Sequence, residues 1–318
     1  MKRMRLGVVG MGYMGALHAE KLVLLQADDP ALTLAGVADV RPARARAAGR
    51  RFGVPGFDDV KGLLPWVDAV IVAVPTIEHY GVVRAALEEG VDVLVEKPIA
   101  ATLDEAQRLL RLAEEGGRVL QVGHLEWFNA AMEVIRGQIR EPRFVEAHRI
   151  GPFPDRATDI DVVRDVMIHD LDILQQLLGE EPERIEAVGV PVLTRNVDIA
   201  NARLVYPSGC VANLTASRVS PSPVRRIRFF QLDGYFSVDF LEQTAVVVRR
   251  EEGSLGEPAI KVEKIEVSRG DALLAQLRSF VRAVRTRDRP MVDGPTGLGA
   301  LRTAIRVNQA MSSFPPMD

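Results

Sequence analysis

The chain predicts an α/β protein in two parts: a doubly wound parallel sheet, then an α+β part built on an open, mostly antiparallel sheet. Three observations lead there. Short apolar runs alternate with amphipathic stretches through residue 122, which is the rhythm of βαβ units. A glycine-rich turn, Gly10-Met11-Gly12-Tyr13-Met14-Gly15, separates the first apolar run from the first helical stretch. Beyond Gly123 helical crossovers become sparse and apolar-polar alternation takes over, so residues 1–122 and 123–318 are expected as two domains.

Strands are expected at Leu6-Val9, Leu32-Ala38, Ala69-Ala73, Val91-Val95 and Val119-Val122, each short, apolar and rich in β-branched residues. Between them Met14-Gln26, Pro42-Phe52, Glu78-Glu89 and Leu103-Glu115 repeat apolar residues at helical spacing. Thr102 with Glu105 reads as a capping box. The second part opens with a helix near Ala130-Ile139. Strands follow at Glu186-Leu193, Ala200-Tyr206, Val211-Ser217, Arg225-Leu232, Tyr235-Phe240 and Thr244-Arg249. Turns at Tyr206-Pro207-Ser208-Gly209 and Asp233-Gly234 join neighbours as hairpins. Helices near Asp271-Thr286 and Thr296-Met311 close the chain, the last expected to return to the first domain.

Composition narrows the function classes. With 318 residues, 47% hydrophobic and 26% charged, there is ample material for two cores. A net charge of −3 argues against a nucleic-acid surface or an anionic membrane, and no apolar run has the roughly 20 residues needed to span a bilayer. Cys210 is the only cysteine, so no intramolecular disulfide framework exists, and a cytoplasmic location is expected. The basic Met1-Lys2-Arg3-Met4-Arg5 lacks the uninterrupted apolar segment and cleavage site of a signal peptide.

The glycine turn sits where a dinucleotide fingerprint belongs, between a strand and a helix, as in a Rossmann domain. Gly10 permits the tight turn, Gly12 admits the pyrophosphate and Gly15 lets helix and sheet approach. Met11, Tyr13 and Met14 fill the loop, and the helix N-terminus offers amide donors to phosphate. Asp39, closing the second strand, would accept from both ribose hydroxyls and repel a 2′-phosphate. NAD is therefore expected, while Arg41 could neutralise such a phosphate and keeps NADP open. Val74-Pro75-Thr76 with His79 follows the next strand, in the position of a loop under the nicotinamide half; Pro75 and Thr76 read as cofactor contacts, and His79 as a contact or a helix cap.

Glu96-Lys97-Pro98 ends a buried-looking strand with a lysine held extended by the proline after it, so the ammonium is presented where parallel sheets bind ligands. Downstream, Asp165 and His169 stand four residues apart on an expected helix. An acid beside an imidazole can fix its tautomer and stabilise its protonated form. Asp172 could extend that stripe, but the set lacks a convincing third strong ligand, and no metal is expected.

With these motifs in order, the chain resembles the glucose-fructose oxidoreductase, inositol dehydrogenase and rhizopine-catabolism (Gfo/Idh/MocA) family over essentially its whole length. The resemblance implies a Rossmann domain followed by an open sheet, with Lys97, Asp165 and His169 as the catalytic group, Glu96 on the nicotinamide-side ribose, and a cis Lys97-Pro98 bond. Val122-Gly123-His124-Leu125-Glu126, Gly151 to Arg156 and Asn213 to Arg218 resemble nucleotide-sugar dehydrogenases in particular, especially those acting on C3 of UDP-N-acetylglucosamine. Trp127 replaces the arginine common after that glutamate, leaving Arg149, Arg156 or Arg218 as candidates for a diphosphate.

The expected function is NAD-dependent hydride transfer at a secondary hydroxyl of a sugar or nucleotide sugar, with Lys97, His124, Arg156, Asp165 and His169 on the substrate. The alternatives are an inositol or other polyol dehydrogenase, a noncatalytic dinucleotide sensor, or a reductase of an imine or conjugated double bond. A homodimer or homotetramer through the second sheet is expected.

Overall fold

The computed structural model describes residues 3–153, 160–252 and 258–311. Arg156, expected on the substrate, lies outside them. Two compact units emerge, both discontinuous in sequence: one runs to Leu125 and adds Ala272–Leu298, and the other comprises Glu126–Asp271 and the chain from Gly299.

The first unit holds β1 (Met4–Val9), α1 (Tyr13–Asp28), β2 (Leu32–Ala38), α2 (Pro42–Phe52), β3 (Gly56–Phe57), α3 (Val60–Leu63), β4 (Ala69–Val72), α4 (Thr76–Glu88), β5 (Asp92–Glu96), α5 (Leu103–Glu115) and β6 (Leu120–Gly123). All strand pairs are parallel, in the order β3-β2-β1-β4-β5-β6. That order reverses direction between β1 and β4, so their carboxyl ends form the switch point at which open α/β sheets bind ligands. The Thr102–Glu105 capping box forms as expected, with Glu105 N donating to Thr102 Oγ1 at 3.2 Å and Thr102 N to Glu105 Oε2 at 3.1 Å. One sheet face is covered by α1 together with a helix from much later in the chain. Leu277, Phe280 and Val281 of that helix join Leu22, Leu25 and Leu94 in one buried cluster. Just beyond it, Arg287 reaches both oxygens of the buried Asp92 at 2.8 Å, tying the returning segment to the start of β5.

The second unit contains α6 (Ala130–Ile135), β7 (Phe144–Ile150), α7 (Ile168–Leu178), β8 (Arg184–Val190), β9 (Ile199–Val205), β10 (Val211–Ser217), β11 (Val224–Gln231), β12 (Gly234–Asp239), β13 (Thr244–Glu252) and β14 (Pro258–Ile265). The helix returning to the first unit is α8 (Ala272–Thr286). After it, α9 (Gly294–Met311) starts in the first unit, where Gly297 lies against Val122, and continues in the second. The sheet order is β14-β13-β12-β11-β7-β10-β9-β8, antiparallel throughout except for the β7–β10 pair. The open, mostly antiparallel sheet of the sequence reading is therefore present, with two strands beyond those expected. The central β7 was hidden because Arg149 occupies an inward position beside Val145 and Ala147. The edge strand β14 carries its apolar Ile260 and Val262 outward, 76% and 60% exposed, so it shows no covered face. The helix expected at Ala130-Ile139 ends at Ile135 and tightens into a 3₁₀ turn over Arg136–Gln138. Among the described residues no helix is long and apolar enough to cross a membrane.

Candidate active site

At the switch point the fingerprint glycines divide the work. Gly10 has φ +90°, and a β-carbon there would lie 2.6 Å from the carbonyl oxygen of Ala73. At Gly15 it would lie 1.9 Å from the carbonyl oxygen of Gly10, so α1 meets the turn more closely than any side chain permits. Gly12, the N-cap of α1, has open space within 4 Å of a β-carbon and no side-chain cap on its helix. Open space beside an uncapped helix N-terminus fits a dinucleotide pyrophosphate. Met11 points into the core while Tyr13 is 59% exposed beside the helix start; Met14 is half-buried.

Asp39 is buried, and its carboxylate organises the loop. Oδ2 accepts from Met11 N and Oδ1 from Arg41 N, both at 2.9 Å. The guanidinium beside it belongs to Arg44, 3.6 Å away, a residue the sequence reading passed over; Arg41 contributes its backbone. Each Asp39 oxygen keeps a second lone pair, so the residues present fit an adenosine ribose.

Lys97 occupies a turn pinned on both sides. Before it, Glu96 Oε1 lies 2.6 Å from Nε2 of His18, a wholly buried histidine on α1 that sequence reasoning missed. After it, the Lys97-Pro98 bond is cis, as the resemblance implied, and the Pro98 carbonyl accepts from His79 Nδ1 at 2.7 Å. The other His79 nitrogen faces the Val74 carbonyl at 3.0 Å. His79 thus ties the Val74-Pro75-Thr76 loop to the lysine turn. Of its two readings, cofactor contact or helix cap, the first is corrected: His79 is 1% exposed and both ring nitrogens face backbone carbonyls, one of which accepts its single N–H when the ring is neutral. Burial depresses its pKa despite the two carbonyls. Pro75 is exposed and Thr76 half-buried at the start of α4. His124, expected on the substrate, is 1% exposed at the end of β6; burial first, and the Lys97 charge second, drive its pKa to about 3 and keep the ring neutral.

In the second unit Asp165 and His169 are not on one regular α-helix. Val163–Met167 forms a π-helical turn that leads into α7, so the two half-buried side chains stand on either side of a change in helical pitch. Such turns concentrate at functional sites. Asp172 faces inward and accepts from Gln176 at 2.8 Å.

Two arginines considered for a diphosphate are committed elsewhere. Arg149 grips Asp170 with Nε and Nη2, reaches Glu126 Oε1 at 2.6 Å and lies over the Phe240 ring at 5.0 Å. Arg218 donates to Asp198 Oδ1 at 2.8 Å and to the Ile160 carbonyl at 2.9 Å. Asp198 also receives the Val192, Leu193 and Thr194 amides on Oδ2. Against the cost of its burial, these donors hold its carboxyl well below the usual carboxylate range. Among the described residues no three histidine, cysteine or carboxylate side chains cluster to hold a metal.

Residues 4–124 match the model of the oxidoreductase family with an NAD-binding Rossmann fold, and residues 128–237 match the GFO/IDH/MocA C-terminal domain. The UDP-N-acetylglucosamine 3-dehydrogenase of Acidithiobacillus ferrooxidans is 38% identical over 99% of both chains. Its solved structure superposes with a TM-score of 0.92 over the same share of each chain. The myo-inositol 2-dehydrogenase of Thermotoga maritima is 29% identical, over 94% of this chain and 93% of its own.

Proposed function

Because the chain belongs to the Gfo/Idh/MocA family of NAD-binding oxidoreductases, we propose that it oxidises one secondary hydroxyl of a nucleotide sugar, or reduces the ketone, with C3 of UDP-N-acetylglucosamine the first position to examine. The observation that carries the chemistry is the Glu96-Lys97-Pro98 turn, in which the residues on either side of Lys97 are held at the end of β5, with β4 between it and the strand that leads into the fingerprint loop. The 38% identity to an enzyme of that name, over 99% of both chains, supports the substrate.

NAD, when bound, accepts the hydride. The protein supplies orientation and the path of the proton. Lys97 binds the reacting oxygen and balances the negative charge that grows on it as the O–H bond breaks. His169 takes the hydroxyl proton, and Asp165 orients the ring and stabilises the imidazolium. Asp39 accepts from the adenosine ribose and favours NAD over NADP, since a 2′-phosphate would sit against a buried carboxylate. The neutral His124 and Arg156 complete the substrate set. Among the basic candidates, His124 can donate or accept one hydrogen bond without bringing a second cation beside Lys97.

We place the protein in the cytoplasm, where its single buried thiol stays reduced. We expect a homodimer or homotetramer through the outward face of the second sheet. A groove of 490 Å³ lined by Glu146, His148, Asn201 and Arg203 supports that surface, as do the half-exposed Val188 and Val190 beside it.

The test is NADH absorbance with UDP-N-acetylglucosamine, other UDP-sugars, inositols and free aldoses. Turnover with the nucleotide sugar and its loss in Lys97→Ala, with NAD still bound, is the expected result. Turnover with inositols alone would move the assignment to the polyol branch, and wild-type turnover by Lys97→Ala would remove the lysine from the chemistry.

A further inference from the structure

We infer that His18 is a positioning residue for Lys97, acting through the carboxylate of Glu96; the inference rests on the catalytic reading of Lys97 above. His18 lies on the inward stripe of α1 with Gly15, Ala19, Leu22 and Leu25, and it is 0% exposed. Its Nδ1 is buried and makes no hydrogen bond among the described residues, so the ring's polar contact is Nε2 on Glu96 Oε1 at 2.6 Å. A leucine would cover the sheet there at no desolvation cost, whereas a buried imidazole beside a carboxylate is expensive unless the pair does something.

What the pair does is set by its place in the chain. Glu96 pairs in register with Gly123 on β6. A β-carbon on Gly123 would lie 3.0 Å from Glu96 Cα and 3.1 Å from Oε2, so the carboxylate rests across the space a side chain would fill. Gly123 beneath and His18 at the tip thus leave the Glu96 side chain one arrangement. The next residue is Lys97, and the one after is held through its carbonyl by His79. The lysine therefore stands between two anchors, each a buried imidazole. His79 acts on the backbone, and His18 fixes the side chain whose Cα leads directly into the lysine. Loss of the His18 anchor frees Glu96 to turn and lets the Lys97 ammonium drift from the reacting oxygen. A displacement of about 1 Å at a reacting group costs on the order of 100-fold in rate.

The variants separate positioning from packing. His18→Leu keeps the apolar layer and removes the donor. His18→Gln places an amide nitrogen at the reach of Nε2 and keeps it. Expected for His18→Leu is a kcat reduced about 10- to 100-fold; His18→Gln recovers most of the loss. A second readout uses apoprotein: with six lysines in the chain, the pH dependence of Lys97 labelling by an amine reagent is resolved by mass spectrometry. It shifts in His18→Leu and returns in His18→Gln.

Wild-type kcat and labelling in His18→Leu overturn the inference while leaving Lys97→Ala inactive and the proposed function intact. Equal losses in both His18 variants that follow only a fall in Tm also overturn it. Full turnover by Lys97→Ala overturns both readings together. If His18→Leu does not fold, His18→Met replaces it. That variant keeps apolar bulk, offers Glu96 no donor and leaves the Glu96 charge beside Lys97, so it must reproduce the labelling shift in apoprotein; an unshifted profile refutes the proposal.

Discussion

Two alanine substitutions three residues apart should fail in opposite ways. At Gly15 an added methyl would lie 1.9 Å from the Gly10 carbonyl oxygen and 2.9 Å from its carbon, and both are backbone atoms that no rotamer change can move. Ordinary contact needs roughly 1.5 Å more, so α1 must lift from the turn over a close-packed core. Overpacking of this kind costs about 1–3 kcal/mol, and backbone opposition places Gly15→Ala at the upper end. For a unit of this size the corresponding fall in Tm is about 6–10 °C. At Gly12 the same methyl meets nothing within 4 Å, with backbone angles of −75° and −158° that alanine adopts. Gly12→Ala should therefore stay within about 1 kcal/mol of wild type, the difference between glycine and alanine as N-cap. Its methyl would occupy the approach to the helix amides, so NAD affinity should fall at least about 10-fold, or 1.4 kcal/mol. Thermal unfolding without cofactor and an NAD titration by protein fluorescence measure the two effects. The reasoning fails if Gly12→Ala unfolds early yet binds NAD normally, or if Gly15→Ala unfolds with wild type.

Other perturbations test the buried charges. Asp198→Asn removes the Asp198 charge from Arg218, only 2% exposed, and should lower stability in denaturant unfolding by up to about 3–5 kcal/mol. The Asp198 pKa is depressed in the fold, so this advantage is fully present above the unfolded value near 3.8; the gap between wild type and variant should narrow as pH falls below about 4. His124 works with the opposite charge. Its pKa is lowered to about 3, so below the ordinary 6.5 the unfolded chain binds a proton that the folded ring refuses, and stability drains away as pH falls through that window. At pH 4 the drain is up to about 3 kcal/mol. Urea midpoints at pH 7 and pH 4 should show a smaller loss in His124→Leu than in wild type, and equal losses would refute the assignment.

The first unit was legible because its signals are local. A glycine fingerprint between strand and helix, a capping box and a strand ended by Lys97-Pro98 are each written within a few residues. What escaped depends on partners far along the chain. Arg149 at an inward strand position looked like an interruption because Asp170, its counter-charge, lies on another element. The return of α8 to the first unit is fixed by Leu277 and Phe280 meeting Leu22, and by Arg287 meeting Asp92, contacts with no sequence proximity. The pair Asp165 and His169 was found by spacing, but the π-helical turn carrying Asp165 was not, since five residues flanked by the buried Val162 and Ile168 are too few to show a period of their own.

The histidines show how far composition could have gone. The chain has five, and three of them, His18, His79 and His124, are buried in the first unit at or next to the lysine turn. Imidazole is rarely fully buried without a partner. His18 was visible as the polar member of an otherwise apolar stripe three residues past Gly15. That signal pointed to a partner, and the fold supplies it as the carboxylate beside Lys97. A single strand end is thereby served by two helices: α1 holds Glu96, α4 holds Pro98, and the backbone of Lys97 lies between the two contacts.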